Sequence, residues 1–187
     1  MSQAGKAVSQ RAVKMSRVSD VILFLVGPGN NGGDTRLAAE HLSKREIQLI
    51  EVNDPKEALG KLELLIGSKP ALIVDGLFGI GLNRPLDDSW IKIIDLLNDR
   101  SCPLLAVDIP SGLNADTGKP MRASVQADVT VTFGAPKLGL TKDGASKYTG
   151  RLEVVDDIGL VDCPSFEELQ WVTKEDFADY PPERSVS

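Results

Sequence analysis

Apolar residues fall into short unbroken runs separated by stretches of helical period. Runs at 21–26, 47–52, 71–74, 104–107, 129–133 and 152–155 read as strands. Segments at 35–45, 56–66 and 88–98 carry apolar residues at three- and four-residue spacing and read as helices, so the first half of the chain runs β-α-β-α-β-α. The central strand runs are apolar at consecutive positions, which requires cover on both of their faces. This pattern predicts the α/β class: a three-layer αβα sandwich around a Rossmann-like, doubly wound, mainly parallel sheet. Residues 4–8 predict a basic amphipathic helix ahead of the first strand. No apolar run approaches the roughly 20 residues a membrane-spanning helix needs, so no membrane span is expected. Beyond residue 160 the strand signal fades, and Tyr180-Pro181-Pro182-Glu183-Arg184 reads as linker. The expected division is a domain over 1–160 and an extension over 161–187.

Composition narrows the function classes. With 42% hydrophobic and 26% charged residues, the 187-residue chain can bury a single core, and global disorder is excluded. A net charge of −6 disfavours a nucleic-acid partner, because most of the surface repels phosphodiesters. Two cysteines, Cys102 and Cys163, are too few for a disulfide framework and fit no metal spacing, which points to a reducing compartment, the cytoplasm. Whether like chains associate into a homo-oligomer is left open by composition. His41 is the only histidine and sits among Leu37, Ala38 and Leu42, where packing explains it. A Ser/His/Asp or Cys/His arrangement therefore cannot be built around it, and acid–base chemistry falls to aspartate or lysine.

Glycine, proline and asparagine gather after the strands, at the edge where open α/β sheets bind ligands. Gly27-Pro28-Gly29-Asn30-Asn31-Gly32 satisfies G-x-G-x-x-G between a strand and a helix, with Glu51 near the end of the second strand. Alone, this would suggest an ordinary dinucleotide site, or simply a structural turn. The pair Asn30-Asn31 followed by Gly33-Asp34 departs from that fingerprint and offers side chains to polar ligand groups. Asp75 and Asp108 each close an apolar strand and are expected to face the crevice, since a carboxylate in the core is costly without partners. Ser111 follows on a loop stiffened by Pro110, where its hydroxyl can meet oxygens of Asp75 and Asn31. Such an all-oxygen cluster suits a hard cation and is wrong for zinc. Lys137 divides evenly between a crevice-facing and a solvated reading. Trp90 and Trp171 read as packing residues.

Four motifs, residues 27–34, 75–82, 107–118 and 132–137, resemble successive signatures of the NAD(P)H-hydrate epimerases. The resemblance covers roughly residues 1–160. It implies a substrate, NADHX or NADPHX, hydrated on its nicotinamide ring, and an isomerase reaction that interconverts the R and S epimers for nucleotide repair. It implies substrate contacts at Asn30, Asn31, Gly32, Gly33, Asp34, Gly79, Ile80, Gly81, Leu82, Asn83, Arg84, Pro85 and Asp108. It also implies a potassium ion at Asn31, Asp75 and Ser111, and an ADP-dependent hydrate dehydratase domain as partner in cis or in trans. Asp108 is the candidate acid/base group. The chain departs from the family pattern at Thr35, where glycine is usual, and in a short N-terminal region. A branched side chain at Thr35 is expected to crowd the ligand approach or the helix start. A non-catalytic nucleotide-binding or scaffold module of the same fold is the alternative, and an oxidoreductase binding intact NAD(P) through Glu51 is a further rival.

Overall fold

A computed structural model describes residues 3–156. Its strands are β1 Ile22–Val26, β2 Ile47–Glu51, β3 Leu72–Gly76, β4 Leu104–Val107, β5 Val129–Phe133 and β6 Arg151–Val155. Its helices are α1 Gln3–Met15, α2 Asn30–Glu40, α3 Pro55–Gly67, α4 Asp88–Asn98 and the short α5 Ser146–Thr149. The strands form one sheet in the order β2-β1-β3-β4-β5-β6, with every neighbouring pair parallel. The predicted doubly wound α/β architecture is what the chain adopts.

The consecutive apolar runs have the expected cause, because every residue of β1, β3 and β4 is buried. Strand side chains alternate between faces, so each run feeds two cores. Phe24, Val74 and Leu105 pack under α1 and α2 against Val8, Ala12 and Ala38. Leu25, Ile73 and Ala106 pack under α3 and α4 against Leu62, Ile93 and Leu97. Fully burying one such large apolar side chain contributes about 1.5–3 kcal/mol. Asp54 caps α3 by accepting from the Lys56 amide at 2.7 Å, and Asp87 caps α4 by accepting from Ser89 and Trp90. From β1 the chain first crosses to β2 and then returns to place β3 on the other side of β1, so the strand order reverses between β1 and β3. A crevice opens there, at the C-terminal ends of both strands.

Two boundaries differ from the sequence reading in ways that matter for function. Helix α2 begins at Asn30 rather than 35 and ends at Glu40 rather than 45. Its Asn-Asn-Gly-Gly start has poor helix propensity, and tertiary packing overrides that. A Cβ on Gly32 would lie 1.9 Å from the Gly27 carbonyl oxygen, so the third glycine of the motif lets the helix press onto the β1 turn. Strand β3 runs on through Gly76, drawing Asp75 into the sheet. The boundary expected at residue 160, the 161–187 extension with its 180–184 linker, Cys163 and Trp171 lie outside the described residues.

The two adjacent glycines should respond oppositely to alanine. Gly32→Ala forces a backbone collision and is expected to destabilise by about 1–3 kcal/mol, despite alanine's better helix propensity. At Gly33 a Cβ meets nothing within 4 Å, and Gly33→Ala is expected to stabilise by about 0.4–1 kcal/mol. Thermal melts of the two variants decide this; equal effects would mean the approach of α2 to β1 is not what requires Gly32.

Candidate active site

Two glycine-rich loops, after β1 and after β3, and the tips of β4 and β5 meet around one cavity of about 580 Å³, within the usual range for small-molecule sites, while the loops at 109–112 and 134–137 stay out of its lining. Pro28, Gly29, Asn30, Asn31 and Asp34 contribute from the start of α2, residues 77–84 from the loop after β3, and Asp108 and Phe133 from the tips of β4 and β5. Of the residues expected to touch substrate, Asn30, Asn31, Asp34, Gly79, Ile80, Gly81, Leu82, Asn83, Arg84 and Asp108 line this cavity. Gly32, Gly33 and Pro85 do not: Gly32 is spent on the contact with Gly27, while Gly33 and Pro85 are exposed away from the lining. Leu77, Phe78 and Phe133 line it as well, and apolar residues at strand ends carry no sequence signal that separates lining from core. No side chain caps the start of α2, leaving first-turn amides without intrahelical partners beside the cavity.

Asp75 departs from expectation. It does not face the crevice but is fully buried, as is Ser111, and Asn31 is nearly so. Burial is tolerated because both carboxylate oxygens are satisfied. Oδ1 accepts from the Ser111 hydroxyl at 2.6 Å and from the Leu77 amide at 3.2 Å, and Oδ2 accepts from the Ser111 amide at 2.9 Å. The Ser111 hydroxyl in turn accepts from the Phe78 amide at 2.9 Å, and the Asn31 carboxamide donates to the Phe78 carbonyl at 2.8 Å. Asn31, Asp75 and Ser111, from three separate elements, are thus tied together around one residue of the cavity wall, Phe78. Removal from water pushes the Asp75 carboxyl above its ordinary value, against the opposing pull of these hydrogen bonds.

The residues expected to hold potassium fit such an ion. Asp75 forms no ion pair among the described residues, so its ionised form is an enclosed negative charge with no cation in contact. The surrounding groups are carboxylate, carboxamide, hydroxyl and peptide carbonyl, a hard oxygen set. Among the described residues no group of three His, Cys, Asp or Glu side chains is placed to hold a metal.

Asp108 does face the cavity. Its backbone adopts φ +64°, with the Ile109 amide donating to the Val107 carbonyl at 2.8 Å across it, a tight turn of the rarer hand. A non-glycine residue in this region costs about 1–3 kcal/mol, although aspartate tolerates it better than most. One carboxylate oxygen, Oδ1, accepts from the Thr132 hydroxyl at 3.1 Å, the Phe133 amide at 3.4 Å and the Lys137 ammonium. The other, Oδ2, accepts no hydrogen bond from the described residues. The even division over Lys137 resolves into an ion pair with Asp108.

The remaining candidates resolve as packing. Thr35 does not crowd the ligand: its side chain is fully buried, donates to the Asn31 carbonyl at 2.7 Å, and fills the space where Gly76 lacks a Cβ. Glu51 pairs with Arg36 at 2.7 Å and is absent from the lining, which removes the feature that favoured an ordinary NAD(P) oxidoreductase. Trp90 packs edge-on against Phe78 with ring centroids 4.5 Å apart. Half-burial pushes the Cys102 thiol up, making it a poor nucleophile at neutral pH. His41 lies at the far end of α2, its Nε2 buried and without a partner.

A switch-point cavity in a parallel sheet, entered by a glycine-asparagine helix start and a carboxylate on a strained strand tip, defines a Rossmann-like small-molecule-site domain. Residues 1–62 and 48–139 match the family described as YjeF-related protein N-terminus, and the chain belongs to that family. It is 34% identical to an NAD(P)H-hydrate epimerase of Limosilactobacillus fermentum, with 85% of each chain covered. It is also 34% identical to an NAD(P)H-hydrate epimerase of Achromobacter xylosoxidans, with 88% of each covered. A bifunctional NAD(P)H-hydrate repair enzyme of Thermofilum pendens is 35% identical over 82% of this chain, which spans 34% of that longer protein. The crystal structure of the yeast protein ynu0 superposes with a TM-score of 0.58 at 23% identity, covering 73% of this chain and 70% of that one, and supports the fold alone.

Proposed function

We propose that this chain is an isomerase that epimerises NAD(P)H hydrate, with Asp108 as its acid/base group. The observation that carries the reading is the Asp108 carboxyl at the cavity, one oxygen held by protein donors and the other left to a ligand. Interconverting the two epimers requires the ring hydroxyl to leave as water after gaining a proton, and water to return on the opposite ring face and lose one. A carboxyl group can give the first proton, stand as carboxylate beside the ring cation, and take the second, so that atoms and charge are conserved over the cycle. The uncapped start of α2 and Arg84 favour phosphate groups of the nucleotide. Apolar Leu77, Phe78, Leu82 and Phe133 suit the planar ring.

In this reading Asn31, Asp75 and Ser111 hold a potassium ion, which supplies positive charge to the buried carboxylate and stiffens the loop junction. A dehydratase acting on one epimer, in cis or in trans in the cytoplasm, consumes the product. Among the described residues no helix is long and apolar enough to cross a membrane. The non-catalytic module predicts binding without turnover, and the family relatives, named as epimerases, do not favour it.

The test is incubation with one purified epimer of NADH hydrate, with both epimers followed by chromatography. Equilibration well above the spontaneous rate is expected. Tight binding at the spontaneous rate would select the binding module, and reduction of a hydride acceptor the oxidoreductase.

A further inference from the structure

We propose that Lys137 is a positioning residue for the epimerase: it locks the Asp108 carboxylate so that Oδ2 alone meets the substrate. The inference rests on the role given to Asp108 above. Lys137 stands on the turn after β5, behind Pro136 and beyond Gly134, whose φ of +73° folds the chain back toward the strand tips. An ammonium has three N–H donors. Those of Lys137 are directed to Asp108 Oδ1, to the Thr132 hydroxyl at 3.2 Å and to the Phe133 carbonyl at 3.0 Å. Lys137 is not among the residues lining the cavity, and its side chain is 20% exposed. With its donors engaged by protein oxygens, it acts behind Asp108 rather than on the ligand.

Thr132 completes the clamp, since its hydroxyl accepts from Lys137 while donating to Asp108. Three donors on one oxygen fix the plane of the carboxyl group, which would otherwise turn freely about its Cβ–Cγ bond. This positioning depends on the cation and its reach, so loss of Lys137 should act on turnover more than on binding.

The experiment compares Lys137→Met, Lys137→Arg, Lys137→Ala and Asp108→Asn in the full chain on purified NADH hydrate epimers, with melts run alongside. Lys137→Met is expected to lower kcat by about 100-fold with KM within about threefold, the signature of a misplaced catalytic group. Lys137→Arg keeps the charge but presents a planar fork, and should retain more activity than the methionine variant. Ethylammonium is expected to restore at least about 10-fold of the activity lost in Lys137→Ala, a response that a purely structural lysine would not give. If the alanine variant fails to fold, the methionine and arginine variants decide. Lys137→Met turning over within about threefold of the parent, or raising KM with kcat intact, overturns the proposal. The reading of Asp108 itself fails separately, through an active Asp108→Asn enzyme.

Discussion

Asp108→Asn is expected to lower kcat for epimerisation by about 10²–10⁴-fold, the usual contribution of a general acid–base group, with KM within about threefold. Asparagine preserves the shape of the side chain and, like aspartate, tolerates the positive φ of 64° at this position. Its carboxamide oxygen can still accept from Thr132, Phe133 and Lys137. What it cannot do is take a proton from water or give one to a leaving hydroxyl at the position of Oδ2. Substrate contacts from α2 and the 77–84 loop are untouched, so affinity should survive. The measurement is the initial rate of epimer interconversion, with the spontaneous rate subtracted, alongside a binding titration. A variant within threefold of the parent in kcat would remove Asp108 from the chemistry, and a variant that no longer binds would make it a recognition residue instead.

The strand runs declared themselves because a parallel sheet covered on both sides needs consecutive apolar residues. β1, β3 and β4 satisfy that need with complete burial. Helix α2 did not declare its start. Residues 30–33 favour turns in isolation, and only the fit of Gly32 against Gly27 makes them helical. Thr35 shows the same limit, since its tolerance depends on Gly76, 41 positions away, having no side chain. Local propensity cannot anticipate a pair of that kind.

Within the site, residue types and loop positions were legible, but orientation was not. Asp75 and Asp108 look alike in sequence, each ending an apolar strand before a flexible loop. The structure separates them by partners. Ser111 and Leu77 amides enclose Asp75, while Asp108, turned by its tight backbone, presents Oδ2 without a protein donor. The lysine clamp was half visible: Lys137 was in reach of the crevice, but only the placement of Thr132 and Phe133 shows where its donors go.

With the proposed potassium site, the buried carboxylate is expected to make stability depend on both pH and potassium. Burial raises the pKa of Asp75 in the folded chain above the ordinary 3.8, so the folded state holds its proton more tightly than the unfolded state. The associated stability is fully present below 3.8 and is lost as pH rises through the folded-state value. Above that value, in a tetramethylammonium buffer whose cation is too large for the site, the ionised Asp75 has no cation in contact among the described residues. Potassium binding only the folded, ionised form should restore about 2.7 kcal/mol at 100 times its Kd, on the order of 5–10 °C in Tm for a chain of this size. Asp75→Asn should abolish this increment and flatten the pH dependence. It also turns an NH2 toward the Ser111 or Leu77 amide, orphaning a buried donor at about 1–3 kcal/mol. In potassium buffer at 100 times Kd the two losses combine to about 4–6 kcal/mol. Thermal melts of parent and variant in matched potassium and tetramethylammonium buffers measure both terms. A parent Tm indifferent to the cation would dismiss the potassium site while leaving the cost of the orphaned amide to be read separately from the variant.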